Sequence, residues 1–251
     1  MGVIIAVANQ KGGVAKTTTV HTLAEALGEL GRRVLMVDLD PQACLTYATG
    51  QDPDSLPISM HDVFLGRVEA EDVMVDLDTV KLLPSSIDLA GAEIHLLTKT
   101  GREFALARAL KPLRNEFDYI LIDCGPSLGI LTINALTAAD YVAIPFQCET
   151  LSDRGVGQLL ETVGDVRGYT NEDLQVLGGI ATIYDGRTRL AKQVLADIEE
   201  IHGLGVLSPP IPKSVRVAEA PGRGRSVLAH ANRSKSAAAY RELAKTIEEA
   251  L

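Results

Sequence analysis

The chain has 251 residues, 46% hydrophobic and 23% charged, with a formal net charge of −9. That is enough chain for one large α/β domain with a substantial core, residues 1–251, and the acidic balance argues against a surface uniformly coated for nucleic acid. No apolar stretch approaches the roughly 20 residues of a membrane helix, and the N-terminal apolar run is too short for a signal peptide, so a cytoplasmic protein is expected.

In chain order, apolar β-rich runs predict strands at 3–8, 33–38, 79–84, 119–123, 141–145, 176–183 and 206–208. Helical patterns interleave with them near 16–30, 42–49, 60–66, 86–97, 102–115, 129–138, 152–166, 189–202 and 235–250. The strand runs are continuous rather than alternating, as expected where both faces of a parallel sheet are covered. This order predicts a doubly wound, mostly parallel sheet with helices on both faces, its ligands at the C-terminal strand ends. Residues 50–60 and the Pro-rich run 208–212 read as surface loops.

Between the first strand and the first helix stands Lys11-Gly12-Gly13-Val14-Ala15-Lys16-Thr17-Thr18. Strand, glycine-rich turn and helix are the context of a phosphate-binding loop, whose backbone N–H groups and helix N-terminus form a nest for polyphosphate. Lys16 can reach the β- and γ-phosphates, and the Thr17 hydroxyl can sit on Mg²⁺. The common pattern of glycine, four residues, then Gly-Lys-Ser/Thr is broken: Gln10 and Ala15 occupy its glycine positions. An additional lysine, Lys11, stands five residues before Lys16. It is either an exposed loop lysine or a cation reaching the phosphates of a neighbouring subunit, as an arginine finger does.

Carboxylates stand where two further strands end. Asp38 and Asp40 lie in Val37-Asp38-Leu39-Asp40-Pro41-Gln42, and Asp123 closes the apolar run 119–122. Asp123 reads as a carboxylate that holds or orients Mg²⁺, and Asp38 or Asp40 as one that positions an attacking water. Cys44, Cys124 and Cys148 are widely spaced and form no Cys-x-x-Cys pair, which points to reduced thiols rather than a zinc or iron–sulfur site. Charge is unevenly placed. Residues 187–235 hold nine Lys/Arg against four acidic residues, a local +5 that leaves −14 for the remainder. A basic face on an acidic body permits weak, salt-sensitive phosphate binding.

The loop at 11–18, Val-Asp-Leu-Asp-Pro-Gln and Ile122-Asp123-Cys124-Gly125-Pro126-Ser127-Leu128-Gly129 together resemble the ParA/Soj family of deviant Walker A ATPases. The similarity runs on through residues 131–136, 144–149, 211–216, 219–221 and 239–244. It implies a P-loop NTPase fold of the SIMIBI type that binds ATP and Mg²⁺ and closes into a nucleotide-sandwich homodimer. The resemblance casts Lys11 as the lysine contacting the partner subunit's nucleotide and Lys16 as the phosphate ligand of its own subunit. Gly12 and Gly13 would permit close approach across the dimer, with Val14 and Ala15 completing the loop. Thr17 would ligate Mg²⁺ and Thr18 the α-phosphate; Asp40 would orient water and Asp123 support the metal. Pro212 and Ser214 match positions that contact the base. In the family the ATP-bound dimer binds double-stranded DNA without sequence preference, and a ParB-like partner stimulates slow hydrolysis. Arg187 and Arg216 match basic positions in that surface, with Lys213, Arg223 and Arg225 as additions. The resemblance thus implies a nucleoid-associated protein.

The sequence also departs from the family. Gly125 stands where Pro is usual, Ser214 where Asn is common, and residues 150–154 and 221–225 are atypical. A MinD-like membrane-cycling ATPase would need a basic amphipathic C-terminal helix, whereas this chain ends Ile247-Glu248-Glu249-Ala250-Leu251, so no stable membrane binding is expected. A redox ATPase like nitrogenase iron protein would need differently placed cysteines. An orphan ATPase of this family positioning a non-DNA cargo remains the other alternative.

Overall fold

A strand packed on both faces gains from an apolar residue at every position, and the central strands here are packed on both faces. The computed structural model describes residues 1–149 and 152–251, with the backbone alone for 152 and 153. Its first half runs β1 (Val3–Val7), α1 (Lys16–Glu29), β2 (Val34–Leu39), α2 (Cys44–Ala48), α3 (Met60–Leu65), β3 (Val75–Asp76), β4 (Lys81–Leu83), α4 (Leu89–Leu97) and α5 (Ala105–Leu110). Then come β5 (Tyr119–Cys124), α6 (Ile130–Ala138), β6 (Tyr141–Gln147), α7 (Ser152–Tyr169), β7 (Gln175–Thr182), α8 (Arg189–His202) and β8 (Val206–Leu207). The chain closes with α9 (Val215–Glu219), α10 (Val227–His230) and α11 (Lys235–Ala250).

The strands form one sheet in the order β3-β4-β2-β5-β1-β6-β7-β8, parallel except for the β3–β4 pair. Because successive side chains leave a strand on opposite faces, each strand feeds two cores. Ile4, Leu35, Ile120, Ile122 and Ile144 point to one, packed with residues of α3 to α8. Ile5, Met36, Leu121 and Ala143 point to the other, beneath α1 and α11. Full burial of one such aliphatic side chain is worth about 1.5–3 kcal/mol. On the second face Tyr240 of α11 is fully buried, and its hydroxyl meets the Thr19 Oγ1 of α1 at 3.2 Å.

Three differences from the expected elements have physical causes. The helix expected at 102–115 is divided into a 3-10 turn (Arg102–Phe104), α5 and a second 3-10 turn (Leu113–Asn115); the break after α5 falls at Pro112, which has no N–H to extend the ladder. The two-residue β3 and the short α9 and α10 lie in stretches for which the sequence predicts no element, since two to five residues are too few to show a period. Thr150 and Leu151, the start of the atypical stretch 150–154, lie outside the described residues. Among the described residues no helix is long and apolar enough to cross a membrane.

Parallel pairing brings the C-terminal ends of neighbouring strands level: Val7 pairs with Asp123, and Asp123 with Asp38. The loop after β1 and the carboxylates of β2 and β5 therefore share one edge of the sheet.

Candidate functional site

The loop between β1 and α1 is shaped by backbone conformation and tied down by distant side chains. Gly13 has φ +76°, and Ala15, immediately before α1, has φ 63° and ψ 33°. Left-handed backbone costs a residue with a Cβ about 1–2 kcal/mol, so Ala15 stores strain at the position where the common loop pattern has glycine. Asn9 reaches both ways, donating from Nδ2 to the Pro145 carbonyl at 2.8 Å and accepting the Lys11 N–H at 2.9 Å. Gln147 Nε2 donates to the Gly13 carbonyl at 2.7 Å, and the buried Thr182 hydroxyl meets the Val14 carbonyl at 2.9 Å. α1 starts with no side-chain cap and no acidic residue in its first turn. Its leading N–H groups are thus the unsatisfied donors that favour an anion.

The two lysines occupy different surroundings. Lys16 is buried, its Nζ 3.3 Å from the Lys11 carbonyl; burial lowers its pKa, and the charge of Asp123 is the largest opposing effect. Lys11 sits on the rim, its Nζ 2.9 Å from Glu149 Oε2, with side-chain exposures of 30% and 62%.

Asp123 is 1% exposed, and neither carboxylate oxygen has a hydrogen-bond partner of ordinary geometry. Burial raises its pKa well above the carboxylate range and Asp38 adds to this, while the Thr17 hydroxyl and Lys16 pull the other way. A buried, orphaned carboxylate beside a helix-terminal threonine hydroxyl suits a small, hard divalent cation, which takes oxygen ligands. Asp38, fully buried, is better satisfied. Its oxygens accept from the Thr46 N–H, the Thr46 hydroxyl and the Asp40 N–H, yet burial still lifts its pKa to about 6. Asp40 lies at the edge, 9% exposed, with Oδ1 accepting the Gln42 N–H at 2.9 Å. The departure at Gly125 falls beside it: a Cβ there would stand 3.4 Å from the Asp40 carboxyl.

The expected residues are thus distributed unevenly. Lys16, Thr17, Asp40 and Asp123 converge, with Thr18 half-buried next to Thr17 in the first turn of α1, and with Gly12 and Gly13 facing open space on the loop. Pro212 joins the same end of the sheet by pairing with Tyr184, two residues beyond Thr182; Ser214 begins α9 without a side-chain cap. The basic residues Arg187, Lys213, Arg216, Arg223 and Arg225 are all exposed. Arg187, however, makes hydrogen bonds of 2.9 and 2.7 Å to the two oxygens of Asp185, so its charge is offset locally. Cys124 is buried in β5 and Cys148 is half-buried; burial pushes both thiols up, Cys148 to about 11. Asn9, Thr182 and Glu149 carry structural roles in the loop that the sequence reading did not assign. Of these only Asn9, adjacent to the loop, offers a local signal.

A parallel sheet whose first strand leads through such a loop into a helix, with two strand-end carboxylates level beside it, is the fold of a P-loop NTPase. Comparison with known proteins narrows this. The family model described as AAA domain matches residues 2–176. The chain is 42% identical over 249 residues to the sporulation initiation inhibitor protein Soj of Bacillus subtilis, covering 98% of each. It is 40% identical to the chromosome partitioning protein ParA of Caulobacter vibrioides, covering 97% of this chain and 93% of that one. A crystal structure of cobyrinic acid a,c-diamide synthase from Mycobacterium smegmatis with bound ADP and magnesium superposes with TM-score 0.88 and 53% identity, covering 98% and 93%. The chain belongs to the ParA/Soj family of ATPases.

Proposed function

We propose that residues 1–251 act as one ATPase domain that dimerises on ATP, binds double-stranded DNA without sequence preference and segregates or positions a chromosome or plasmid. The observation that carries this reading is the contrast between the two loop lysines. Lys16 is buried beside Asp123, where it can serve only its own subunit, whereas Lys11 lies on the open rim with one exposed ion pair to leave.

In the proposed cycle the loop amides and the N-terminus of α1 hold the phosphates, with Lys16 on the β- and γ-phosphates and Thr18 on the α-phosphate. Thr17 and Asp123 hold Mg²⁺, which neutralises charge developing on the transferred phosphoryl group. Lys11 crosses to the nucleotide of the second subunit, where Gly12 and Gly13 leave room for its approach. Pro212 and Ser214 face the base. Asp40 orients the attacking water, and its position at the edge of the buried cluster suits a group that must meet solvent. Arg216, Lys213 and Arg223, with Arg187 once released from Asp185, supply phosphate contacts to DNA. A ParB-like partner accelerates a slow intrinsic hydrolysis and releases the dimer, so the protein is cytoplasmic and nucleoid-associated.

The MinD-like alternative gains no support from α11. Its apolar side, with Tyr240, Leu243, Ala244 and Ile247, is already buried in the core, leaving no apolar face for a lipid surface.

The test is ATP-dependent DNA retention measured alongside phosphate release. Lys11→Ala and Lys16→Ala should each abolish retention, and Asp40→Ala should prolong it. Normal retention by Lys16→Ala refutes the reading. ATP-dependent vesicle binding in place of DNA binding would favour membrane cycling. ATP consumption that requires a corrinoid, with no DNA binding, would instead favour the amide-forming reaction named for the M. smegmatis protein.

A further inference from the structure

Asp38, Thr46 and, from 39 residues further along the chain, Ser85 close a hydrogen-bonded ring around the main chain of Asp40. Asp38 Oδ1 accepts the Asp40 N–H at 3.2 Å, and Asp38 Oδ2 accepts the Thr46 hydroxyl at 2.7 Å. That same Thr46 oxygen accepts the Ser85 N–H at 2.9 Å, and the Ser85 hydroxyl returns to the Asp40 carbonyl at 2.9 Å. Asp38, Thr46 and Ser85 are each 0% exposed. The ring joins the end of β2, the first turn of α2 and the segment leaving β4, and it grips Asp40 through both its N–H and its C=O. Its geometry is more exacting than packing alone, because each member is buried and loses a partner if any other moves.

We infer that Thr46 and Ser85, through Asp38, are positioning residues that hold the Asp40 carboxylate where it can orient water. This rests on the proposed role of Asp40. Thr46 is the member whose oxygen both donates and accepts, so it transmits the position of β4's exit to the strand end that carries Asp40. A misplacement of about 1 Å in such a group can cost up to about a hundredfold in rate. Because the side chain of Asp40 itself is intact when Thr46 is altered, a partial loss is expected.

The experiment compares wild type, Thr46→Val, Thr46→Ser, Ser85→Ala and Asp40→Ala for steady-state Mg²⁺–ATP turnover and for affinity to a non-hydrolysable ATP analogue. Val keeps the volume of Thr and removes the hydroxyl; Ser restores it. Thr46→Val should lower kcat about tenfold with KM and analogue affinity within about twofold, and Thr46→Ser should recover to within about twofold of wild type. In an Asp40→Ala background Thr46→Val should cost nothing further, which a general loosening of the fold would not produce. If Thr46→Val fails to fold, Ser85→Ala, which removes the bond to the Asp40 carbonyl and a longer one of 3.4 Å to the neighbouring Ser86 carbonyl, carries the same expectation. Loss of turnover in Asp40→Ala with normal kcat in Thr46→Val or Ser85→Ala overturns the inference alone. Equal loss of analogue affinity and kcat in Thr46→Val also overturns it. Unchanged turnover in Asp40→Ala overturns the role of Asp40 and the inference with it.

Discussion

Replacing Asp123 with Asn should separate folding stability from function in opposite directions. Asp123 is 1% exposed, neither oxygen has a hydrogen-bond partner of ordinary geometry, and it shares its surroundings with the buried Asp38. An unsatisfied buried polar group costs about 1–3 kcal/mol, more when charged, and Asn removes the charge while keeping the shape. Some of the gain is returned because Asp123 is the largest counter-charge of Lys16, although Asp40 and the Lys11 carbonyl remain near that ammonium. A net stabilisation of about 1–2 kcal/mol at pH 8 is expected for protein freed of metal and nucleotide. With an m-value of about 3 kcal/mol/M for urea, the midpoint should rise by about 0.3–0.7 M. The sign with pH follows from the raised pKa in the folded state. The folded carboxyl holds its proton more tightly than the unfolded one, so its contribution to stability is greatest below about pH 4 and is lost as pH rises through the folded value. The advantage of Asn should therefore shrink towards zero near pH 4. Stabilisation by Mg²⁺–ATP, seen as a rise in Tm for wild type, should vanish in the variant. An unchanged or lowered urea midpoint at pH 8, or an advantage undiminished at pH 4, would refute the reasoning.

Other perturbations read different parts of the structure. Glu149→Gln frees Lys11; exposed ion pairs are worth about 0.2–1 kcal/mol, and two break per dimer. The ATP-dependent dimerisation constant should thus rise about two- to thirtyfold by analytical ultracentrifugation, and a fall would show that the pair with Glu149 does not restrain Lys11. Gly179→Ala would place a Cβ 2.7 Å from the buried Phe146 ring and 3.3 Å from Leu204, so overpacking should destabilise by about 1–3 kcal/mol in urea melts while nucleotide affinity holds. Asp185→Asn releases the Arg187 guanidinium and should strengthen ATP-dependent DNA binding several-fold at low salt, with a steeper salt dependence; weaker binding would place Arg187 outside the DNA surface.

Much of the fold was legible because its signals are local. The runs at β1, β2, β5 and β6 are apolar at consecutive positions, which requires cover on both faces, and the loop residues 11–18 sit between a strand and a helix in the sequence itself. Lys16, Thr17, Asp40 and Asp123 were placed at strand or helix ends by the same logic, and the sheet order brings those ends together. Short elements escaped it: β3, α9 and α10 hold too few residues to establish a period, and Pro112 cut a helix whose apolar pattern continued past it.

Taken alone, the sequence determined that a phosphate-type loop opens this chain, that its extra lysine is Lys11, and that carboxylates end the neighbouring strands. Only the tertiary structure decided how those groups are held. Thr182 meets the Val14 carbonyl from 168 residues away, and Glu149 pairs with Lys11 across 138. Ser85 grips Asp40 across 45. It also decided that Arg187 is matched by Asp185, a neighbour the count over 187–235 left out. The physical reason is common to the three long-range contacts. Single polar contacts carry no periodicity and are chosen by chain closure, whereas repeated apolar burial writes itself into the sequence at every turn and strand.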